Sequence, residues 1–127
     1  FMRAIYESLG YILKRNIDSL ANMGIYVKEI RSLGGGSKSK IWNQIKADIN
    51  QVTLETVKSV EAASLGAAIL AGKATGIFDS IENAVDSMVE VKDRTEPCPE
   101  NKEVYEAGYQ MYQKLFKDLT ECFELTR

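Results

Sequence analysis

The sequence predicts a helix-rich α/β domain built on a small sheet. Three observations carry this. Apolar residues recur at helical spacing over several long stretches, and two short β-branched stretches lie between those helices. Glycine runs or polar turns separate each strand from the helix that follows, the order expected of α/β packing. The 127 residues suffice for one domain with a core, and the 45% hydrophobic and 27% charged fractions are those of an ordinary globular chain.

The elements follow in order. Residues 1–22 read as a helix, with Met2, Ile5, Leu9, Ile12, Leu13, Ile17 and Leu20 at three- and four-residue steps and Gly24 as the stop. Residues 27–33 form a short strand of imperfect alternation, broken by Gly34, Gly35 and Gly36. A second helix covers 40–49, with Ile41, Trp42, Ile45 and Ile49 on one face and Ser39 as its N-cap. Residues 51–57, "QVTLETV", read as a second strand.

Residues 58–72, "KSVEAASLGAAILAG", form a third helix of small side chains, able to approach another backbone closely. Gly66 within it costs about 1 kcal/mol against alanine, so a packing reason is expected. A short helix spans 79–88, with Asp79 and Glu82 at capping-box spacing. Residues 91–100 hold both prolines and read as an extended connector, and Pro99 is placed to begin the last helix. That helix runs to about residue 123, with Tyr105, Tyr112, Leu115, Phe116, Leu119, Cys122 and Phe123 as its buried stripe. The predicted order is helix, strand, helix, strand, then three helices. Two strands are few for a sheet of this class, so further strands are expected upstream of Phe1. The opening on Phe1, already in an amphipathic pattern, is expected of a cut made just before a helix inside a longer protein.

Composition excludes several functions. A net charge of −2 with both signs dispersed makes no electrostatic case for nucleic acid or an anionic membrane. No apolar run is long enough to span a bilayer, and no secretory leader is visible. There is no histidine, which removes Ser/His and Cys/His nucleophile pairs and imidazole metal ligands. Cys98 and Cys122 read as free thiols of a reducing cytoplasm. Among other candidates, Trp42 reads as core rather than a stacking ring. Asp48 and Glu61 read as helix-terminal or solvated carboxylates rather than acid/base groups. Tyr105, Tyr109 and Tyr112 read as core and rim.

The stretch "RSLGGGSKSKIWNQI" concentrates the chemistry. A strand, a glycine loop and a helix start together offer backbone access, free N–H donors and partial positive charge to an anion. Ser37 and Ser39 add hydroxyls, and Lys38 and Lys40 add charge. The spacing matches neither G-x-x-x-x-G-K-[ST] nor G-x-G-x-x-G. A glycine run between strand and helix also serves as a plain turn, and from the loop alone both readings stand.

"RSLGGGSKSKIWNQIKADI", followed at short distance by "VEAASLGAAILAGKATGIF", resembles the C-terminal region of the FGGY carbohydrate kinases, the xylulokinase-like members above all. The opening "FMRAIYESLGYIL" and the ending "VYEAGYQMYQKLF" are similar to that family too, so the resemblance covers nearly the whole chain. It implies an actin-like, ribonuclease H-like ATPase fold. Residues 1–127 would be one partial domain, the later part of the nucleotide-binding half of a cytoplasmic enzyme. That enzyme would transfer the γ-phosphate of ATP, with Mg²⁺, to a sugar hydroxyl, such as that of the ketopentose xylulose. Gly35 would approach the nucleotide by backbone, and Ser39 would occupy a small polar contact position. Gly34, Gly36 and Ser37 would shape the loop, and the small-residue helix would pack close behind it. The catalytic base, the metal ligands and most of the sugar site are expected in preceding sequence, so the chain alone is expected to be inactive. It is also expected to self-associate, most simply as a two-fold dimer, through an exposed sheet edge or exposed helix faces. The family commonly turns after "KADI" with a glycine-proline pair, where this chain has "NQVTLE". The competing reading is a non-catalytic nucleotide-binding or interaction module derived from the kinase fold.

Overall fold

A computed structural model describes residues 1–58, 61–120 and 122. Among these described residues, five helices and three strands follow in the order α1 (Met2–Asn22), β1 (Glu29–Ser32), α2 (Lys40–Asn50), β2 (Thr53–Val57), α3 (Ala62–Ala74), α4 (Ile81–Met88), β3 (Val91–Thr95) and α5 (Lys102–Asp118). Single 3₁₀ turns precede α2 (Gly35–Lys38) and α5 (Pro99–Asn101). The fold is α/β and helix-rich, as predicted.

The sheet has three strands, not two, in the order β1-β2-β3. β1 and β2 run parallel across the α2 crossover, and β3 is antiparallel to β2 with an irregular register at Thr56 and Val57. β3 lies in the segment expected to be a connector. Its sequence, VKDRT, carries three charges and is largely exposed. An edge strand needs apolar residues on neither face, and charge on it discourages pairing with another chain. Across the sheet, buried Glu55 (5% exposed) is registered between Arg31 and Arg94. Its carboxylate meets the two guanidinium groups at 3.1 and 3.7 Å, tying all three strands together.

The core lies where α1, α2 and α5 meet. Tyr11, Ile45, Ile49, Tyr105 and Tyr109 form it, with Tyr6 and Tyr112 against it. Two glycines let the helices approach. A Cβ on Gly10 would lie 2.5 Å from Ile49 Cδ1, and one on Gly108 would strike the Tyr11 hydroxyl. The tyrosines are therefore core, as expected, but the buried stripes are not those predicted. In α1 the buried positions are Gly10 and Tyr11, while Met2, Ile5, Leu9 and Ile12 are exposed. In α2 Ile45 and Ile49 are buried and Ile41 is 70% exposed. In α5 Tyr105 and Tyr109 are buried, and Leu115, Phe116 and Leu119 are exposed. Cys122 is exposed, and Phe123 falls outside the described residues. The aliphatic periodicity was real, but the contact faces are set by glycine-tyrosine packing.

Helix starts differ in detail. Ser39 caps α2 as predicted, its Oγ accepting the Trp42 N–H at 3.3 Å. Ser80, not Asp79, caps α4, accepting the Asn83 N–H at 3.0 Å. The turn after α2 is made by Gln51 in the left-handed region (φ 52, ψ 37). Its side-chain amide donates to the Asp48 carbonyl at 2.7 Å, which offsets the cost of that conformation.

Candidate functional site

The glycine run does not form an open loop. Gly34 leaves β1 and Leu33 with φ 78 and ψ −169, a combination open essentially to glycine alone. Gly35–Lys38 then close one 3₁₀ turn, and Ser39 starts α2. Ser37 fastens the turn, its hydroxyl donating to the Gly34 carbonyl at 2.7 Å. Asn43, one turn into α2, donates its Nδ2 to the Ser37 carbonyl at 2.7 Å.

The three glycines differ in what local structure asks of them. Gly34 is required by its backbone. Gly36 is required by packing, because a Cβ there would press into the Trp42 ring. That ring is stacked on Tyr6 (centroids 5.2 Å apart) and lies under the Lys46 ammonium at 4.8 Å. Lys46 also donates to Ser32 Oγ at 2.8 Å, and burial holds its pKa below the ordinary lysine value. Gly35 is exposed, its φ is not in the left-handed region, and a Cβ would meet nothing within 4 Å. Among the described residues, folding gives no reason for glycine at 35.

Beside the loop a cleft of about 580 Å³ opens between the start of α2 and the β2–β3 pair. Ser37, Lys38 and Lys40 stand at its loop end, and Asn43, Thr56 and Arg94 also line it. Of the predicted site residues, only Ser37 lines this cleft; Gly34, Gly35, Gly36 and Ser39 form the turn next to it. Asn43, Thr56 and the β3 residues were not anticipated. The signal for Asn43 was its place one helical turn after Ser39; Thr56 gave none, because its partner strand was unrecognised.

The small-residue helix packs beside the end of β1 that leads into the loop. α3 lines a separate groove of about 200 Å³ with Arg31, Leu33 and Val57, and it packs on α4. Gly66 has open space around its Cβ direction, so among the described residues the expected close approach is not made there. It occurs instead at Gly72, where a Cβ would lie 2.7 Å from the Phe78 ring. Asp48 is 2% exposed and is a structural anchor. Its carboxylate accepts from Gln44 Nε2 (2.8 Å), Cys98 N (2.7 Å) and Asn101 Nδ2 (2.8 Å), fixing the β3–α5 connection to α2. Glu61 is solvated at the start of α3. Among the described residues no group of three or more acidic or cysteine side chains could hold a metal, and no helix is long and apolar enough to cross a membrane.

Residues 1–75 match the profile of the FGGY family of carbohydrate kinases, C-terminal domain. The xylulose kinase of Staphylococcus epidermidis is 38% identical over 117 residues, 92% of this chain and 24% of that protein. Among solved structures, ligand-bound xylulose kinase from Lactobacillus acidophilus superposes with a TM-score of 0.85 at 22% identity, covering 98% of this chain and 25% of that one. Plasmodium falciparum glycerol kinase with ADP superposes with a TM-score of 0.77 at 28% identity, covering 93% of this chain and 24% of that one. The chain therefore spans about a quarter of the length of the proteins it matches, and its fold is part of the actin-like ATPase fold of these kinases.

Proposed function

This chain belongs to the FGGY family of carbohydrate kinases, and we propose that it forms the later part of the nucleotide-binding domain of a kinase that phosphorylates a sugar with ATP. One observation carries the nucleotide side of this reading. Gly35 is the only member of the glycine run that neither backbone conformation nor packing explains. A bare residue on an exposed turn, beside a cleft whose Lys38 and Lys40 are in no ion pair among the described residues, is what close approach of a phosphate to the backbone requires. The first N–H groups of a 3₁₀ turn have no partner within it, so those of Gly35 and Gly36 are available to oxygen atoms of a nucleotide. In this reading Gly34, Gly36 and Ser37 hold the turn, and Ser39 makes a polar contact while capping α2.

Phosphoryl transfer needs both substrates positioned and the developing charge neutralised. This chain supplies the nucleotide cradle. In this reading Mg²⁺ would be held by carboxylates elsewhere in the kinase. The sugar, for which we favour a ketopentose such as xylulose, would bind mainly to the other domain. The preference for xylulose rests on the similarity to xylulose kinases. A panel of sugars and polyols assayed with ATP on the intact kinase tests it. Highest kcat/KM with D-xylulose supports the reading, and highest kcat/KM with glycerol or gluconate replaces the substrate while leaving the nucleotide side intact. ATP-dependent turnover with none of them would remove the kinase reading.

A further inference from the structure

Lys46, on the second turn of α2, is a half-buried lysine that the nucleotide reading leaves without a task. Its ammonium is held by two groups. Nζ donates to Ser32 Oγ at the end of β1 at 2.8 Å and lies 4.8 Å from the centre of the Trp42 ring. Trp42 in turn is stacked on Tyr6 of α1 and packed against Gly36. Lys46 is in no ion pair among the described residues. By contrast, Lys14, Lys58 and Lys92 meet Asp18, Glu90 and Asp93, and Lys38 and Lys40 stand exposed.

The cluster is also rich in donors. Trp42 Nε1 is buried and has no hydrogen-bond partner among the described residues. An indole N–H and an ammonium can only donate. Among the described residues, the Ser32 hydroxyl is the one hydrogen-bond acceptor that either of them meets. A charge so poorly supplied with acceptors is costly to bury, and burial holds this amine below the ordinary lysine pKa. More of it is neutral near physiological pH than of a fully solvated lysine, and the neutral amine is the nucleophile. The contacts to Ser32 and Trp42 also limit the positions of Nζ, where an unrestrained lysine samples many.

We propose that Lys46 is a modification site, whose Nζ is acylated by acyl phosphates or acyl thioesters in preference to the other lysines of this chain. The amine lone pair attacks the acyl carbonyl carbon. A C–N bond forms, and the C–O bond to the phosphate or the C–S bond to the thiol breaks. The proton lost by nitrogen ends on the departing phosphate or thiolate. The product is a neutral amide. It removes the half-buried charge and adds a carbonyl oxygen, the kind of acceptor that the cluster lacks. The site is independent of the nucleotide reading of the loop.

Treatment of the intact kinase with acetyl phosphate, and in a parallel arm with acetyl-coenzyme A, tests it, with acetylation at each lysine followed by peptide mass spectrometry. Near neutral pH, Lys46 should react at least about threefold faster than Lys38 or Lys40 with one donor or both, and the donor that works identifies the acyl source. The advantage should shrink toward about pH 10, where solvated lysines also lose their protons. In kinase unfolded in guanidinium chloride it should vanish. Lys46 reacting no faster than Lys38 and Lys40 in the folded kinase would overturn the proposal, because its amine is then covered or paired with an acid. An advantage that persists in the unfolded chain would also overturn it, by assigning the rate to the neighbouring sequence.

Discussion

Replacing Gly35 by valine separates a ligand-binding glycine from a folding one. The added side chain meets no atom within 4 Å and the backbone is not left-handed, so the protein should tolerate it. Fewer unfolded conformations even favour the variant by up to about 1 kcal/mol, less the poorer fit of a β-branched residue in a helical turn. The expected net change in stability is within about 0.5 kcal/mol. The same side chain would stand where a phosphate reaches the turn. Loss of one backbone contact and a forced displacement should cost about 1.4–2.8 kcal/mol, a rise in ATP KM of about 10- to 100-fold. Sugar KM should change little. The neighbours provide the contrast. Gly34→Ala should destabilise by about 1–3 kcal/mol through its backbone conformation, and Gly36→Ala by a similar amount through overpacking on Trp42. Thermal melts combined with ATP and sugar titrations of all three variants decide the matter. Unchanged ATP kinetics in a Gly35→Val protein that melts normally would refute the assignment of this turn to the nucleotide.

Asp48→Ala should lower stability by about 3 kcal/mol or more, because it strands three donors, from Gln44, Cys98 and Asn101; chemical denaturation measures it, and a loss below about 1 kcal/mol would contradict the anchor role. Burial and the neighbouring Asp18 carboxylate, to which its hydroxyl donates at 2.8 Å, push the Tyr109 pKa up to about 12. The unfolded chain ionises this phenol near pH 10, so stability should fall between pH 10 and 12 by at most about 2–3 kcal/mol from this group. Tyr109→Phe should flatten that limb in denaturation curves taken across the range, and an unaltered slope would contradict it. β1 is paired on one side only among the described residues, and α1 exposes Met2, Ile5, Leu9 and Ile12. The 127-residue chain should therefore associate as a two-fold dimer; light scattering that shows a monomer at high concentration would exclude this.

Much of the fold was legible because its signals are local. The helical period located α1, α2 and α5, and the Ser39 hydroxyl marked the start of α2 to the residue. What stayed hidden depends on partners distant in sequence. β3 carries the charges of an edge strand, so only its pairing with β2 identifies it. The exposed Met2 and Ile5 and the buried Gly10 cannot be ranked from α1 alone, because burial is decided by where Ile49 and Tyr109 arrive. The glycine run announced a special turn, but the sequence could not assign a different cause to each of its three residues. The cleft behind Ser37 was illegible, since it joins a helix start to a strand read as a connector.

The most direct measurement is a crystal structure of the intact kinase with ADP bound. The account predicts phosphate oxygens within hydrogen-bonding reach of the Gly35–Gly36 backbone. ADP bound away from this turn, with Gly35 facing open solvent, would contradict it.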